Sequence, residues 1–252
     1  KQLGTSGSGN HFCSYGEVEI GSEGLNGIPQ GKYIGIITHS GSRGMGANVA
    51  KHYTDLAMKK CVLPPEAKYL AWLDLNTEEG QEYWLAMNLC GDYASACHHD
   101  IHKRLAKSIG MKPLTMVENH HNFAWKEVHD GRELIVHRKG ATPAGEGVLG
   151  IIPGSMASHA FIVSGKGNPS SLHSASHGAG RRMSRTKAKE SFGKRQLKDL
   201  LAEHKVTLIG AGMDESPMAY KDIHEVMARQ TELVNVLGTF FPRVVRMDDG
   251  DD

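Results

Sequence analysis

The amino-acid sequence predicts an α+β fold with mixed sheets and flanking helices. Two patterns support this prediction: short β-branched apolar runs typical of strands, and longer stretches with helical periodicity. Their order lacks the regular strand–helix alternation of a parallel α/β sheet. A chain of 252 residues with 39% apolar residues can bury a sizeable core. We expect one domain over residues 1–247 and a disordered acidic tail over residues 248–252.

The first half of the chain contains one clear strand and two helices. The apolar run Tyr33–Thr38 predicts a buried strand that ends in the glycine-rich turn HSGSRGMG. Helices are predicted at about 47–60 and about 78–108. The second helix carries an apolar stripe with intervals of three or four, formed by Met87, Cys90, Ala94, Cys97, Ile101 and Leu105.

The second half mixes strands and helices. Two strand-like runs within 123–138 flank Asp130-Gly131, a pair typical of a hairpin turn. Further strands are predicted at 148–152 and 160–164, then helices at about 178–192 and 195–204. A strand at 206–209 precedes a last predicted helix at about 222–237.

Charge and hydropathy exclude several classes of protein. The net charge of +1 gives no global basic field, and no apolar run approaches the roughly 18 residues of a membrane span. No segment resembles a signal peptide, so we expect a cytoplasmic location and no membrane partner. Basic residues cluster locally and could either follow a phosphate backbone or form a solvated helix face: Arg181, Arg182, Arg185, Lys187, Lys189, Lys194, Arg195 and Lys198.

The cysteines bear on the redox compartment of the protein, and the histidines bear on its chemistry. The four cysteines are not spaced as a disulfide framework or a zinc ribbon, which indicates a reducing compartment. Cys90 and Cys97 are predicted to be core residues. His98 and His102 could clamp a metal, although solvent-facing histidines are commoner. The total of 15 histidines favours metal or phosphoryl chemistry.

Four turn-like segments combine histidine with glycine or asparagine, at His11, His39, His120-His121 and His177. The last is the most informative, because His177 precedes Gly178-Ala179-Gly180 and a cluster of arginines. Glycines let backbone approach a phosphate closely, and the N–H groups at a helix start attract anions. We therefore expect His177 to stand at a phosphate site, with helix capping as the alternative.

Seven motifs together resemble the RtcB family of RNA-splicing ligases. They are GNHF, HSGSRG, HHN, RKGA, IIPGSM, SHGAGRRMSRTKA and PMAYKDI, and they occur in the family's order. The resemblance implies an RtcB-like catalytic domain. The family's DxGCG-like motif, with its aspartate and bridging cysteine, is missing, and the chain opens with Lys1, so we expect a domain that is incomplete at its N-terminus. Cys13 is a weak candidate to replace that thiolate.

The resemblance also implies roles for single residues. His177 matches the histidine that takes GMP from GTP, and His11, His39 and His121 match ligands of Mn²⁺. Arg138, Lys139 and Arg185 are assigned to RNA phosphates or pyrophosphate. The remaining matched positions hold the nucleotide and its phosphates: Asn10, Asn122, Ser155, Ala179, Gly180 and Tyr220.

The activity implied by the resemblance is RNA ligation. GMP would pass from His177 to an RNA 3′-phosphate, released first from a 2′,3′-cyclic form where necessary, and a 5′-hydroxyl would then attack. An archease-type activator and the missing N-terminal segment are implied as partners. Two departures from the family pattern concern guanine selectivity. Ser14 stands where the family commonly has an acidic residue, and many members end in a VKG-like sequence with a guanine-contacting lysine, whereas this chain ends Val244-Val245-Arg246-Met247 and then acidic residues. Alternatives are a non-catalytic binder of guanine nucleotides or RNA ends, and a metal-dependent phosphoesterase.

Overall fold

The fold is built on a six-stranded sheet whose central strand is the last one in the sequence. The computed structural model describes residues 2–248. The strands are β1 (Phe12–Ile20), β2 (Gly31–His39), β3 (Asn122–His129), β4 (Arg132–Lys139), β5 (Ala141–Pro143), β6 (Leu149–Pro153), β7 (Ala160–Gly165), β8 (Ser174–Ser176), β9 (Thr207–Gly210) and β10 (Val234–Met247). The helices are α1 (Arg43–Lys60), α2 (Glu78–Ser108), α3 (Arg185–Ser191), α4 (Lys194–Glu203) and α5 (Ile223–Ala228).

The main sheet has the order β2-β1-β10-β7-β6, with β9 added in parallel to the second half of β10. The other neighbours in this sheet are antiparallel. The pairs β3–β4 and β5–β8 form two small sheets. Mixed strands and helices confirm the predicted α+β class.

A bulge shapes the contact between β1 and β10. The register shifts between Tyr15 and Gly16, so that Gly16 stands opposite Pro242 and Arg243 is the extra residue. Proline has no N–H to donate, and it is tolerated in a sheet at such a bulge. A Cβ at Gly16 would lie 2.2 Å from the Phe241 carbonyl oxygen, which explains why glycine occupies this position.

The chain divides into two compact units. The first consists of the residues up to Gly7 together with Ser40–Arg104, and the second of Ser8–His39 with the chain from Leu105 onward. The first unit contains α1 and most of α2, where Cys90 and Cys97 are buried as predicted. The second unit contains all ten strands. The prediction of a single domain over 1–247 stays a prediction, and residues 249–252 of the acidic tail lie outside the described part.

Most predicted elements in the chain are confirmed, some with shifted ends. The helix predicted at 78–108 is α2, and the hairpin predicted within 123–138 is β3–β4, with Asp130 and Gly131 at φ values of 50° and 73°. All four cysteines are free. Within residues 2–248, no helix has both the length and the apolar character that crossing a membrane requires.

Two helix predictions were wrong in part. The helix predicted at 178–192 begins only at Arg185, because Gly180 takes a left-handed φ of 71° and Ser184 caps the helix. The helix predicted at 222–237 ends at Ala228, and β10 begins at Val234. The β-branched residues Val234 and Val236 pair with β7, and this tertiary pairing outweighs the local helical pattern.

Candidate active site

A cavity of about 250 Å³ lies in the second unit, where β1, β2 and β10 meet the loops that follow β6 and β8. Its wall contains the side chains of Phe12 and Ser14 from β1 and of Val245 and Met247 from β10. Seven of the residues predicted for the site from the sequence also line it: Asn10, His39, Ser155, His177, Ala179, Gly180 and Tyr220. The structure therefore brings together residues that are up to 210 positions apart in the sequence.

Three predicted site residues do not line this cavity. Two of them are its neighbours: the His11 ring centroid lies 5.3 Å from that of His39, and the His121 ring lies 5.1 Å from His39 and 4.8 Å from His177. Asn122 is exposed at the start of β3 and pairs with Lys139 across the hairpin. A nucleotide-binding role for Asn122 stays a prediction.

The tautomer of His177 is determined by a backbone carbonyl. The Nδ1 atom of His177 lies 2.8 Å from the carbonyl oxygen of Gly140, and a carbonyl can only accept a hydrogen bond. Nδ1 therefore carries the proton and donates it, which leaves the lone pair on Nε2. Burial lowers the pKa of His177, while the bond to Gly140 acts in the opposite direction and nearby Lys139 lowers it further. The imidazole is consequently neutral and nucleophilic near pH 7.

Gly140 connects His177 with His121. Its N–H donates to the His121 carbonyl oxygen at 3.1 Å, while its own carbonyl accepts from His177. Gly140 adopts φ of 73°, a left-handed conformation that glycine tolerates best. Burial, followed by the repulsion of a charged His177, lowers the pKa of His121 to about 4. The turn at Gly140 thus holds two imidazoles that both stay neutral at physiological pH.

The segment 177–184 is a loop that packs on β6, and the predicted helix start at this place was wrong. The backbone N–H of Ala179 donates to the carbonyl oxygen of Pro153 at 2.9 Å. A Cβ at Gly178 would lie 2.8 Å from the same oxygen, so glycine is needed for this close approach. The carbonyl of Gly180 in turn accepts from the N–H of Lys221 at 3.0 Å. Any phosphate contact made here would come from loop backbone rather than from a helix end.

Glu215 is a cavity residue that the sequence reasoning missed. Its side chain is 2% exposed and accepts hydrogen bonds from Arg181 Nη1 at 3.3 Å and from the hydroxyl of Tyr220. Arg185 Nη2 lies 3.4 Å away. Burial, followed by this contact with Glu215, raises the pKa of Tyr220, which remains a neutral phenol. A carboxylate buried with two arginines fixes the polar wall of the cavity. The available signal was the acidic pair Asp214-Glu215 just before the PMAYKDI motif.

The three cations assigned to RNA phosphates or pyrophosphate differ in their surroundings. Arg138 is 3% exposed, and its guanidinium donates to both oxygens of Glu127 at 2.6 and 2.9 Å. It is a buried structural residue, and its assignment to RNA phosphates or pyrophosphate was wrong. Lys139 is exposed beside His177, and Arg185 lines the cavity with half of its side chain in solvent.

The three predicted metal ligands fit part of a divalent-metal site. The Nε2 atoms of His39 and His121 are 3.1 Å apart. Two nitrogens bound to one ion at about 2.1 Å, with a ligand angle of about 90–110°, would be separated by about 3.0–3.4 Å. A pKa of about 4 keeps His121 neutral, as a ligand must be. Within residues 2–248 no group of three or more His, Cys, Asp or Glu forms a ready metal site.

Cys13 does not complete that site. It lies on β1 between Phe12 and Ser14, the two β1 residues that line the cavity, so strand alternation points its side chain to the other face. Burial raises the pKa of the Cys13 thiol, which disfavours the thiolate that a metal would bind. Any anionic ligand of the ion would have to come from another residue.

Comparisons with known proteins identify the family of this sequence. A family model described as tRNA-splicing ligase RtcB matches residues 1–248. The chain belongs to the RtcB family, as the order of its motifs predicted.

Several curated relatives are similar over most of this chain. It is 39% identical over 255 residues to RNA-splicing ligase RtcB of Escherichia coli K12, covering 95% of the chain and 59% of the relative. It is 35% identical to tRNA-splicing ligase RtcB of Nanoarchaeum equitans, covering 92% of the chain and 56% of the relative. It is 35% identical to RNA-splicing ligase RtcB homolog 1 of Entamoeba dispar, covering 90% of the chain and 49% of the relative. The chain thus spans about half to three-fifths of these relatives.

Proposed function

We propose that this chain carries the nucleotidyl-transfer site of an RNA ligase, which joins an RNA 3′-phosphate or 2′,3′-cyclic phosphate end to a 5′-hydroxyl end. The observation that carries the proposal is the hydrogen bond from His177 Nδ1 to the Gly140 carbonyl oxygen. This bond leaves the lone pair of Nε2 as the nucleophile. The names of the relatives, which are RNA-splicing and tRNA-splicing ligases, support the same reaction class.

The proposed first step is transfer of GMP from GTP to His177. Nε2 attacks the α-phosphorus, a P–N bond forms, and the bond to pyrophosphate breaks. Arg185 and Arg181 supply positive charge to the triphosphate at the cavity wall. The backbone at Gly180 contacts the phosphates, because the Ala179 N–H is already bonded to Pro153, and Ala179, Tyr220 and Ser155 hold the guanosine.

The later steps return His177 to its starting state. An oxygen of the RNA 3′-phosphate attacks the phosphorus of the GMP group, and the P–N bond breaks as the new P–O bond forms. The 5′-hydroxyl then attacks the activated 3′-phosphate, loses its proton, and expels GMP. A 2′,3′-cyclic phosphate is first hydrolysed to the 3′-phosphate.

We expect Mn²⁺ to be held by the neutral imidazoles of His11, His39 and His121 and by anionic ligands that other residues supply. When bound, such an ion would stabilise negative charge on phosphate oxygens during transfer. Its requirement and identity are open to direct test by chelation and replacement with Mg²⁺ or Zn²⁺. The donor set, neutral imidazole, suits Mn²⁺ less specifically than it suits Zn²⁺.

The decisive experiment is covalent labelling. The chain is incubated with α-labelled GTP and Mn²⁺, alone and together with an upstream segment that carries the family's aspartate and cysteine. Mass analysis then locates GMP. We expect the label on His177, lost in His177→Ala and retained in His137→Ala, which changes an exposed histidine of β4 outside the cavity.

The outcomes of this experiment distinguish a ligase from a binding module and from a phosphoesterase. Label that requires His177 supports the ligase, and label that also requires the upstream segment shows that this segment completes the site. If neither preparation is labelled, nucleotidyl transfer is refuted. GTP binding without label would then favour a binding module, and GTP-independent hydrolysis of an RNA phosphoester would favour a phosphoesterase.

A further inference from the structure

One segment of the chain is strongly basic although the whole chain is almost neutral. Residues 181–198 contain eight of the 29 Lys and Arg residues and one of the 28 Asp and Glu residues. The segment therefore has a formal charge of +7, and the rest of the chain has −6, which together give the net +1. A local concentration of this size creates a positive potential that attracts a polyanion.

The cations of α3 and α4 point to solvent. We call Lys187, Lys189, Lys194, Arg195 and Lys198 the basic track, and all five are exposed. The apolar faces of both helices are buried in the core through Ala188, Leu197 and Leu201. The lysines therefore remain on the solvent-facing side.

Acidic partners do not neutralise most of the basic track. Arg195 lies 3.9 Å from Asp199, but both side chains are largely exposed and such a pair contributes little. Over residues 2–248, no ion pair within 4.0 Å involves any of the four lysines. Their charge is therefore available to a partner.

The basic track begins two residues after Arg185, which lines the cavity. Arg185 is the first residue of α3 and lines the cavity, and α3 and α4 follow with only Phe192 and Gly193 between them. Helices of 7 and 10 residues are about 10 and 15 Å long. A nucleic-acid strand that leaves the cavity along these helices would meet several cations in succession.

We propose that the basic track binds the phosphates of the RNA strand whose end is joined at His177. The inference rests on the proposed function and adds to it a docking surface. Lysine ammonium groups contact phosphates as mobile point charges and read no bases, so the binding is independent of RNA sequence. It is also strongly dependent on salt, because each phosphate contact releases counterions.

The test measures the salt dependence of RNA binding in three proteins. They are the wild type, a track variant (Lys187→Ala, Lys194→Ala, Lys198→Ala) and a control variant of equal net charge (Lys51→Ala, Lys59→Ala, Lys112→Ala). All six lysines are exposed. Binding of a 12-nucleotide single-stranded RNA with a 3′-phosphate is followed by fluorescence anisotropy at several KCl concentrations. Labelling of His177 by GTP, which needs no RNA, is measured in parallel.

We expect the slope of log K against log salt to become shallower by about 2 in the track variant, since a single strand contributes roughly 0.7 per neutralised phosphate. At 0.1 M salt the same relation gives affinity on the order of 100-fold weaker. The control variant should bind like the wild type, and His177 labelling should be the same in all three.

The outcomes separate this inference from the proposed function. An unchanged slope in the track variant, or equal losses in both variants, would overturn the docking surface while His177 labelling still supports the ligase. Track-dependent binding without labelling, also when the upstream segment is present, would refute nucleotidyl transfer but support the surface. Stronger track-dependent binding to vesicles of phosphatidylserine and phosphatidylcholine than to RNA would overturn the choice of partner.

Discussion

At the scale of single residues, His177 depends on an acceptor that is part of the backbone. A carbonyl cannot be protonated or removed by substitution of a side chain, so the tautomer is protected against changes in pH near neutrality. The carbonyl can be displaced only by changing the conformation of Gly140. The chemistry of the proposed nucleophile is therefore coupled to one dihedral angle of a turn.

Substitution of Gly140 tests this coupling. Gly140→Ala places a Cβ at φ of 73°, which costs roughly 1–2 kcal/mol, and 3.7 Å from His177 Nδ1. Gly131→Ala is a matched control, because it has the same φ but no atom within 4 Å of the new Cβ. We expect both variants to lose similar stability in urea unfolding and only Gly140→Ala to lower the rate of His177 labelling. Equal labelling rates would contradict the coupling.

The pKa values predict how stability responds to pH. The ordinary pKa of His121 is 6.5 and its folded value is about 4, so the unfolded chain binds more protons between these values. The contribution of His121 to stability is therefore fully present well above pH 6.5, and it is lost as the pH is lowered through the interval toward 4. At pH 5 the loss from His121 is about 2 kcal/mol. The lowered pKa of His177 adds a loss of the same sign.

Urea unfolding in metal-free buffer from pH 7.5 to 5 measures this loss. His121→Gln should reduce the pH dependence, while His137→Gln, at an exposed position, should leave it unchanged. A pH dependence that is the same in both variants would exclude His121 as its source.

Motifs predicted which residues meet in the cavity better than they predicted which residues hold them in place. His39, His177 and Tyr220 were identified from short ordered motifs, and they meet in one cavity. Glu215 was missed because its function depends on burial next to Arg181 and Tyr220, which no local pattern encodes. Arg138 was misassigned for the related reason that its partner Glu127 lies across a hairpin.

At the scale of elements, the short helix α3 positions a cavity residue through its first turn. Ser184 accepts a hydrogen bond from the Lys187 N–H at 3.2 Å and so caps the helix that begins with Arg185. Loss of such a cap costs about 1 kcal/mol. Since α3 has only seven residues, it has few other local bonds with which to compensate.

Ser184→Ala should therefore destabilise the chain by about 1 kcal/mol and weaken GTP binding through disorder of Arg185. Ser184→Thr keeps an oxygen that can cap the helix, and it should restore both properties. Chemical unfolding and titration with fluorescent GTP are the measurements. Weaker binding in Ser184→Thr as well would show that the serine acts in some way other than capping.

Element boundaries were predictable where local chemistry decides them. The Asp130-Gly131 turn and the amphipathic α2 are encoded locally, and both were predicted at the correct positions. The start of α3 and the end of α5 were missed, because contacts with β6 and β7 decide them. A helix was predicted over 222–237, but the residues from Val234 onward belong to β10, which pairs with three other strands.

At the scale of the whole molecule, ligand binding should appear as added stability. A ligand that binds only the folded chain stabilises it by about 2.7 kcal/mol at 100 times its dissociation constant. We expect GTP to raise the melting temperature of the wild type and to raise that of Arg185→Gln less, since Arg185 lines the cavity but is half exposed. Thermal unfolding followed by circular dichroism provides the measurement. Equal shifts in both proteins would remove Arg185 from the binding site.

The position of β10 in the sheet also has a consequence for biosynthesis. β1 pairs on one side with β2, which follows soon after it, but its other partner emerges from the ribosome more than 200 residues later. At about 5–20 residues per second, that edge of β1 waits about 10–40 s for β10. During translation the nascent chain thus presents an unpaired strand edge, a template for aggregation. Cellular yield of this protein should depend on chaperones that cover this edge until the final strand arrives.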